Sequence, residues 1–308
     1  MKRLAAATAL STFALILLGG VVRVSDSGLG CGPAGSGFSG WPFCNGDVVP
    51  GVDLNSIIEY AHRAVAIAVG LMILALFVMA IREKRLTRPT GAALVLVASQ
   101  GALGGATVEG NLEEGYVAAH LGLAMLLLAL LVYIWRAIRA TAREAAPAPQ
   151  PGPRGLAIAA SVAVFATIVA GGYMAGTQNY GRADYQLGDG AHHACGKEFP
   201  TCNGEFMPFG EARLVDIHLT HRALMYLASA LVLWLVIVAL RRRVAIPYAW
   251  GAAGLLVTQV LVGALNVWLD EYELLILLHL ALGTLLWAAV STMAMQLSPA
   301  PRAQPVPA

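Results

Sequence analysis

The chain has 308 residues, 58% of them hydrophobic and 12% charged, with a net charge of +2. A water-soluble domain carries roughly 25% charged residues, so a soluble globular fold is excluded. No nucleic-acid partner is expected, and the natural surroundings of such a chain are a lipid bilayer.

Apolar windows of about 20 residues, the length that crosses a hydrocarbon core, fall at 4–22, 57–80, 91–108, 116–135, 156–176, 217–240, 248–268 and 274–296. They predict an all-α membrane protein of eight transmembrane helices. The first window follows Lys2 and Arg3, as a signal peptide would. Its closing pair Gly19-Gly20 is echoed by Gly171-Gly172 at the end of the fifth window, which favours reading it as a span.

Short cytoplasmic loops collect Lys and Arg. Lys2, Arg3, Arg82, Lys84, Arg85, Arg88, Arg136, Arg139, Arg143, Arg154, Arg241, Arg242, Arg243 and Arg302, 14 of the 20 basic residues, fall on one side of the eight spans. The opposite loops hold Arg23, Arg182, Lys197 and Arg213 and most of the carboxylates. The pattern predicts a multi-pass protein of the plasma membrane with both termini cytoplasmic.

The chain resembles itself at an offset of 159 residues. Glu59-Tyr-Ala-His62-Arg63-Ala64 recurs as His218-Leu-Thr-His221-Arg222-Ala223, Gln100 and Gly104 as Gln259 and Gly263, and His120-Leu121 as His279-Leu280. The loop Pro42-Phe-Cys44-Asn45-Gly46 returns as Pro200-Thr-Cys202-Asn203-Gly204, offset by 158. Four spans per half give both halves the same orientation, so the expected architecture is two tandem, parallel-oriented four-helix bundles made by internal duplication. The halves are 1–138 and 156–297. A Pro- and Ala-rich cytoplasmic linker at 139–155 joins them, and 298–308 forms a cytoplasmic tail.

Histidine inside a span faces a bundle interior or a ligand. His62, His120, His221 and His279 occupy the four even-numbered spans, each about 7 Å inside the outer face at 1.5 Å per residue. Two imidazoles at equal depth on facing helices can ligate haem iron from both sides, which pairs His62 with His120 and His221 with His279. A single such histidine reads better as an interhelical hydrogen-bonding group; four at duplicated places read as ligands. Zinc is the weaker alternative, kept open by His218 beside His221. Arg63 and Arg222 are candidate partners for haem propionates, or they snorkel to water.

The halves differ where Glu59 is replaced by His218. A carboxylate beside a haem pocket can hold protons or stabilise a developing cation, which places chemistry in the first half. The alternative is an interfacial charge paired with Arg63 at i, i+4. All four cysteines, Cys31, Cys44, Cys195 and Cys202, lie in the two long outer loops. Oxidising conditions there favour disulfides, most simply Cys31 with Cys44 and Cys195 with Cys202. They brace the loops, or the first pair relays electrons by thiol exchange. His192 and His193 read as solvated loop residues.

Gly19-Gly-Val-Val-Arg23 running into Ser27-Gly-Leu, then Trp41-Pro-Phe-Cys44-Asn-Gly46, Glu59-Tyr-Ala-His62-Arg63, Ala119-His120-Leu-Gly122, His221-Arg222 and His279 together resemble the haem A synthase family. Members of that family oxidise a methyl group of haem O to the formyl group of haem A. The resemblance implies an oxidoreductase in which His221 and His279 ligate a resident haem b, its iron cofactor. His62 and His120 would flank the substrate haem, and Glu59 would assist the oxidation. It implies haem O as substrate. Haem O synthase, an electron donor or acceptor and a second copy of the chain are the candidate partners. The rival readings are a di-haem membrane cytochrome b in electron transfer, a quinone-linked thiol oxidase and a transporter.

Overall fold

The computed structural model describes residues 1–139, 153–177, 190–269 and 273–297. Its eight helices are α1 Lys2–Val24, α2 Leu54–Arg82, α3 Thr87–Glu109, α4 Glu114–Arg139, α5 Pro153–Gly176, α6 Arg213–Arg241, α7 Ile246–Trp268 and α8 Glu273–Gln296. All eight are long and apolar enough to cross a membrane. In hydrocarbon every backbone N–H and C=O must be satisfied within the protein, which a continuous helix does by itself.

The helices outrun the apolar windows at their polar ends. α2 starts at Leu54, where the Asp53 carboxylate accepts the N–H of Ser56 at 3.0 Å and caps the first turn. α6 starts at Arg213, a full turn before its window. Hydropathy marks the part of a helix that lipid covers, so it misses turns that stand in the headgroups. The expected linker also shortens at both edges, because α4 continues to Arg139 and α5 begins at Pro153, whose fixed φ suits a first helical turn. The remaining linker residues 140–152, the tail 298–308, and 178–189 and 270–272 of the outer connections lie outside the described residues.

Two rings of four helices result. α1 and α3 each pack against both α2 and α4, and α5 and α7 each pack against both α6 and α8. The rings meet where α4 lies on α5 and α8, with α1 also on α8. Val69, Ile73, Leu76, Leu127, Leu131 and Ile134 fill the first ring. The larger core runs through the second ring and across the seam, where Ile16, Met125 and Leu128 join Val232, Leu235, Val290 and Met293. Ala157, Ala160 and Ala163 keep the buried side of α5 small, as close helix approach in a membrane requires. At the seam the Trp287 indole N–H donates to the Met125 carbonyl at 3.0 Å.

Equivalent connections adopt equivalent turns. Lys84 and Leu86 between α2 and α3, and Arg243 and Ala245 between α6 and α7, all take left-handed backbone conformations. In the outer loops, Asn45-Gly46 and Asn203-Gly204 have positive φ at both residues, the geometry of a tight type I′ turn. Each closes a two-residue bridge, Cys44 with Asp47 and Cys202 with Glu205.

Candidate functional site

His62 lies on α2 and His120 on α4, the two helices of the first ring that both pack on α1 and α3; His221 on α6 and His279 on α8 are placed in the same way in the second ring. Each ring of helices therefore brings together one pair of the sequence-predicted histidines. His62 and His221 stand eight residues into their helices and His120 and His279 six. Those places lie ~12 and ~9 Å from the helix starts, deeper than the windows suggested, because the helices begin earlier.

Each imidazole rests on a glycine of the preceding odd-numbered helix. A Cβ added at Gly19 would stand 3.1 Å from His62 Cε1, at Gly104 3.3 Å from His120 Cε1, at Gly171 3.1 Å from His221 Cε1, and at Gly263 2.9 Å from His279 Cε1. The glycines immediately after Gly19 and Gly171 serve the seam instead. A Cβ at Gly20 would meet Leu280 at 2.7 Å, and one at Gly172 would meet Leu121 at 3.0 Å and the Ala118 backbone at 3.3 Å. The repeated Gly-Gly pair was visible in the sequence, but its two separate contacts were not.

The ring nitrogens are unevenly satisfied. His221 Nδ1 lies 3.0 Å from the Thr167 carbonyl, so it carries a proton and donates it. The Nδ1 atoms of His62, His120 and His279 are buried without a hydrogen-bond partner. Gln259 Nε2 approaches His279 Nε2 at 3.2 Å, while Gln100 Nε2 donates to the His120 backbone carbonyl at 2.8 Å. A buried polar atom without a partner costs ~1–3 kcal/mol, and the Nδ1 of each of these three rings carries that cost. Two imidazoles in each ring of apolar helices have the donor chemistry to hold a haem iron between them. Among the described residues no three histidine, cysteine or carboxylate groups gather into the cage that zinc would use.

Glu59 and His218 do not point freely into open space; both are tied to the loops above them. Glu59 is buried, and its carboxylate accepts the Cys31 N–H at 2.8 Å and an N–H of Arg63. Arg63 also donates to the Gly40 and Phe43 carbonyls at 2.7 and 2.8 Å. His218 donates from Nδ1 to the Ala191 carbonyl at 2.8 Å. Arg222 is 3% exposed, donates to the Glu198 and Thr201 carbonyls at 2.8 Å each, and lies over the Phe199 ring. Neither arginine snorkels to water. Both clamp the loop that covers their own ring of helices. The four carbonyls sit at the same 158-residue offset as the loop repeat.

Cys31 is joined to Cys44 and Cys195 to Cys202, and all four cysteines are buried. Trp41 stacks on α3 where Gly105 leaves room for its indole, bringing the first loop down onto the ring. One expectation needs correction. His192 is only partly exposed, and its Nδ1 is enclosed. Burial, with His218, His221 and Arg23 nearby, holds its pKa well below the ordinary imidazole value. The sequence alone gave no reason to expect the loop to fold its histidine inward.

The sequence profile of the COX15-CtaA family, described as cytochrome oxidase assembly protein, matches residues 2–291. The chain is 32% identical to a haem A synthase of Symbiobacterium thermophilum and 29% identical to one of Alkalihalophilus pseudofirmus, each alignment covering 94% of both proteins. It is 30% identical to a haem A synthase of Halalkalibacterium halodurans over 76% of this chain and 72% of that one. With the profile reaching from the first helix into the eighth and relatives aligned over 94% of their length, the chain belongs to the COX15-CtaA family of cytochrome oxidase assembly proteins.

Proposed function

We propose that the protein is a haem A synthase that oxidises a methyl group of haem O to a formyl group, with one ring of helices serving the substrate and the other a resident haem b. The observation that carries this reading is an asymmetry within a repeat. Both rings seat a pair of histidines on glycines, but one turn before the first histidine the first ring has Glu59 and the second His218. The architecture of two rings with matching turns, loops and seats supports an internal duplication.

In this reading His62 and His120 hold the substrate haem, and His221 and His279 ligate haem b. Haem b would supply one-electron redox chemistry. Glu59 holds or releases a proton at its carboxylate, which accepts from Arg63 and the Cys31 N–H. Arg63 and Arg222, each held by two loop carbonyls, act on the propionates by shaping the loop above them. The two disulfide-closed loops exclude water from the sites. Haem O synthase would deliver the substrate, and an electron donor or acceptor must complete the reaction. A plasma-membrane location with both termini cytoplasmic follows from the basic residues of the inner loops.

Expression in cells that make haem O but no haem A tests the reading. Haem A should appear in extracts of their membranes, and a Glu59→Ala variant should leave haem O unconverted while retaining haem b. Haem O that stays unconverted by the wild-type chain, with two haems bound, would favour a di-haem electron-transfer protein instead.

A further inference from the structure

Gly19, Gly104, Gly171 and Gly263 stand on α1, α3, α5 and α7, and each meets the imidazole of the next helix in sequence. None of the four has positive φ, so an alanine would suit the backbone and, by helix propensity, would be favoured there. What opposes it is the imidazole alone. The nearest atoms to each added Cβ belong to a histidine ring, at 2.9 to 3.3 Å. Other helical glycines behave differently: Gly70, Gly101, Gly251 and Gly254 have nothing within 4 Å of an added Cβ.

A ring this close to a helix backbone is confined on one face. An added methyl group would push it away and carry Nε2 with it. His221 has a second constraint at Nδ1 that the other three lack, while His279 is met at Nε2 by Gln259. The His221 Nδ1–H donates to the Thr167 carbonyl, which fixes the tautomer and leaves the Nε2 lone pair for a metal. The Thr167 carbonyl lies one turn before Gly171 on α5, so seat and carbonyl together hold this ring. The Nδ1 atoms of His62, His120 and His279 have no such partner.

We propose that these four glycines are positioning residues that hold the histidine rings in the orientation haem ligation needs, and that the Thr167 carbonyl makes His221 the pre-oriented ligand. This rests on the reading of the second ring as the haem b site. It implies that the second ring retains its haem through purification, whereas the first ring, with two rotationally less constrained histidines, exchanges its haem as a substrate site must.

The test uses the full-length protein in detergent, with haem per protein and reduced-minus-oxidised spectra read on the monodisperse fraction. Electron paramagnetic resonance reports the spin state. Gly171→Ala and Gly263→Ala should each lower haem b retention roughly tenfold, the range typical of lost support around a metal ligand, or shift the iron from low to high spin. Gly19→Ala and Gly104→Ala should leave the haem b spectrum unchanged and weaken the spectral response to added haem O. Gly101→Ala and Gly254→Ala should match the wild type in both respects. The two second-ring seats lie on different helices, so either variant suffices if the other accumulates poorly. Wild-type haem content and spin state in Gly171→Ala and Gly263→Ala, alongside haem loss in His221→Ala, would overturn the seat alone. Haem b retained by His221→Ala would overturn the functional reading of the second ring, and this inference with it.

Discussion

At position 59 a carboxylate lies under the first outer loop, and at position 218 an imidazole lies under the second. Both groups were legible in the sequence because a polar residue inside an apolar window has few bland explanations. Their loop contacts were not, since nothing in a helix pattern tells which loop backbone will fold over it. Glu59→Gln keeps an acceptor for the Cys31 N–H but removes the charge opposite Arg63. Under the proposed function the expected result is haem O conversion reduced about 100-fold with total bound haem unchanged, measured as haem A formed per protein in extracted membranes. His192 offers a separate test. Its folded-state pKa lies below the unfolded value of 6.5, so the folded protein binds fewer protons than the unfolded chain as pH falls through that value, and the stability it contributes declines. Replacing it with an uncharged residue, His192→Gln, should flatten the loss of thermal stability below pH 6.5 relative to wild type. Identical pH profiles would show that His192 is not the group responsible.

Among the elements, the outer loops depend on the first turns of α2 and α6. The paired cysteines were readable from their placement in the outer loops, whereas the Asn-Gly pairs were seen only as a repeat and not as the tight turns they form. The arginine clamps were not, because an arginine near a membrane interface looks the same in sequence whether it reaches for water or for a loop carbonyl. Arg222→Ala strands the Glu198 and Thr201 carbonyls and removes the cation over Phe199. A cost of about 1–3 kcal/mol should appear as faster protease cleavage within 190–212 and a lower melting temperature. Arg63→Ala should cost more, because it also leaves the buried Glu59 without its counter-charge. The ordering of the two variants, Arg63→Ala below Arg222→Ala in stability, is what a thermal melt of each would check. The reverse order would show that Glu59 is not dependent on Arg63 for its burial.

For the whole molecule, the eight spans, their order and the repeat could be drawn from hydropathy and self-comparison. The seam could not, because lipid-facing and ring-facing apolar residues have the same composition when neither meets water. Only the folded chain distinguishes Gly172, pressed on the Ala118 backbone and Leu121, from Gly254, which faces open space. That difference gives the seam a sharp test. Gly172→Leu would drive a side chain into the backbone of α4, which cannot give way as a flexible side chain does. α5 would then have to move off α4, opening the buried contacts of Met125, Leu128 and Trp287. Gly254→Leu adds the same volume to a helix of the same ring without meeting any neighbour. The expected outcome is a large drop in accumulation and melting temperature for Gly172→Leu and near-wild-type values for Gly254→Leu. Because Leu121 follows His120 directly in α4, the proposed function predicts that a partly folded Gly172→Leu protein also responds less to added haem O than the wild type does. Equal tolerance of both substitutions would mean that the two rings are held together by something other than the close approach of α4 and α5.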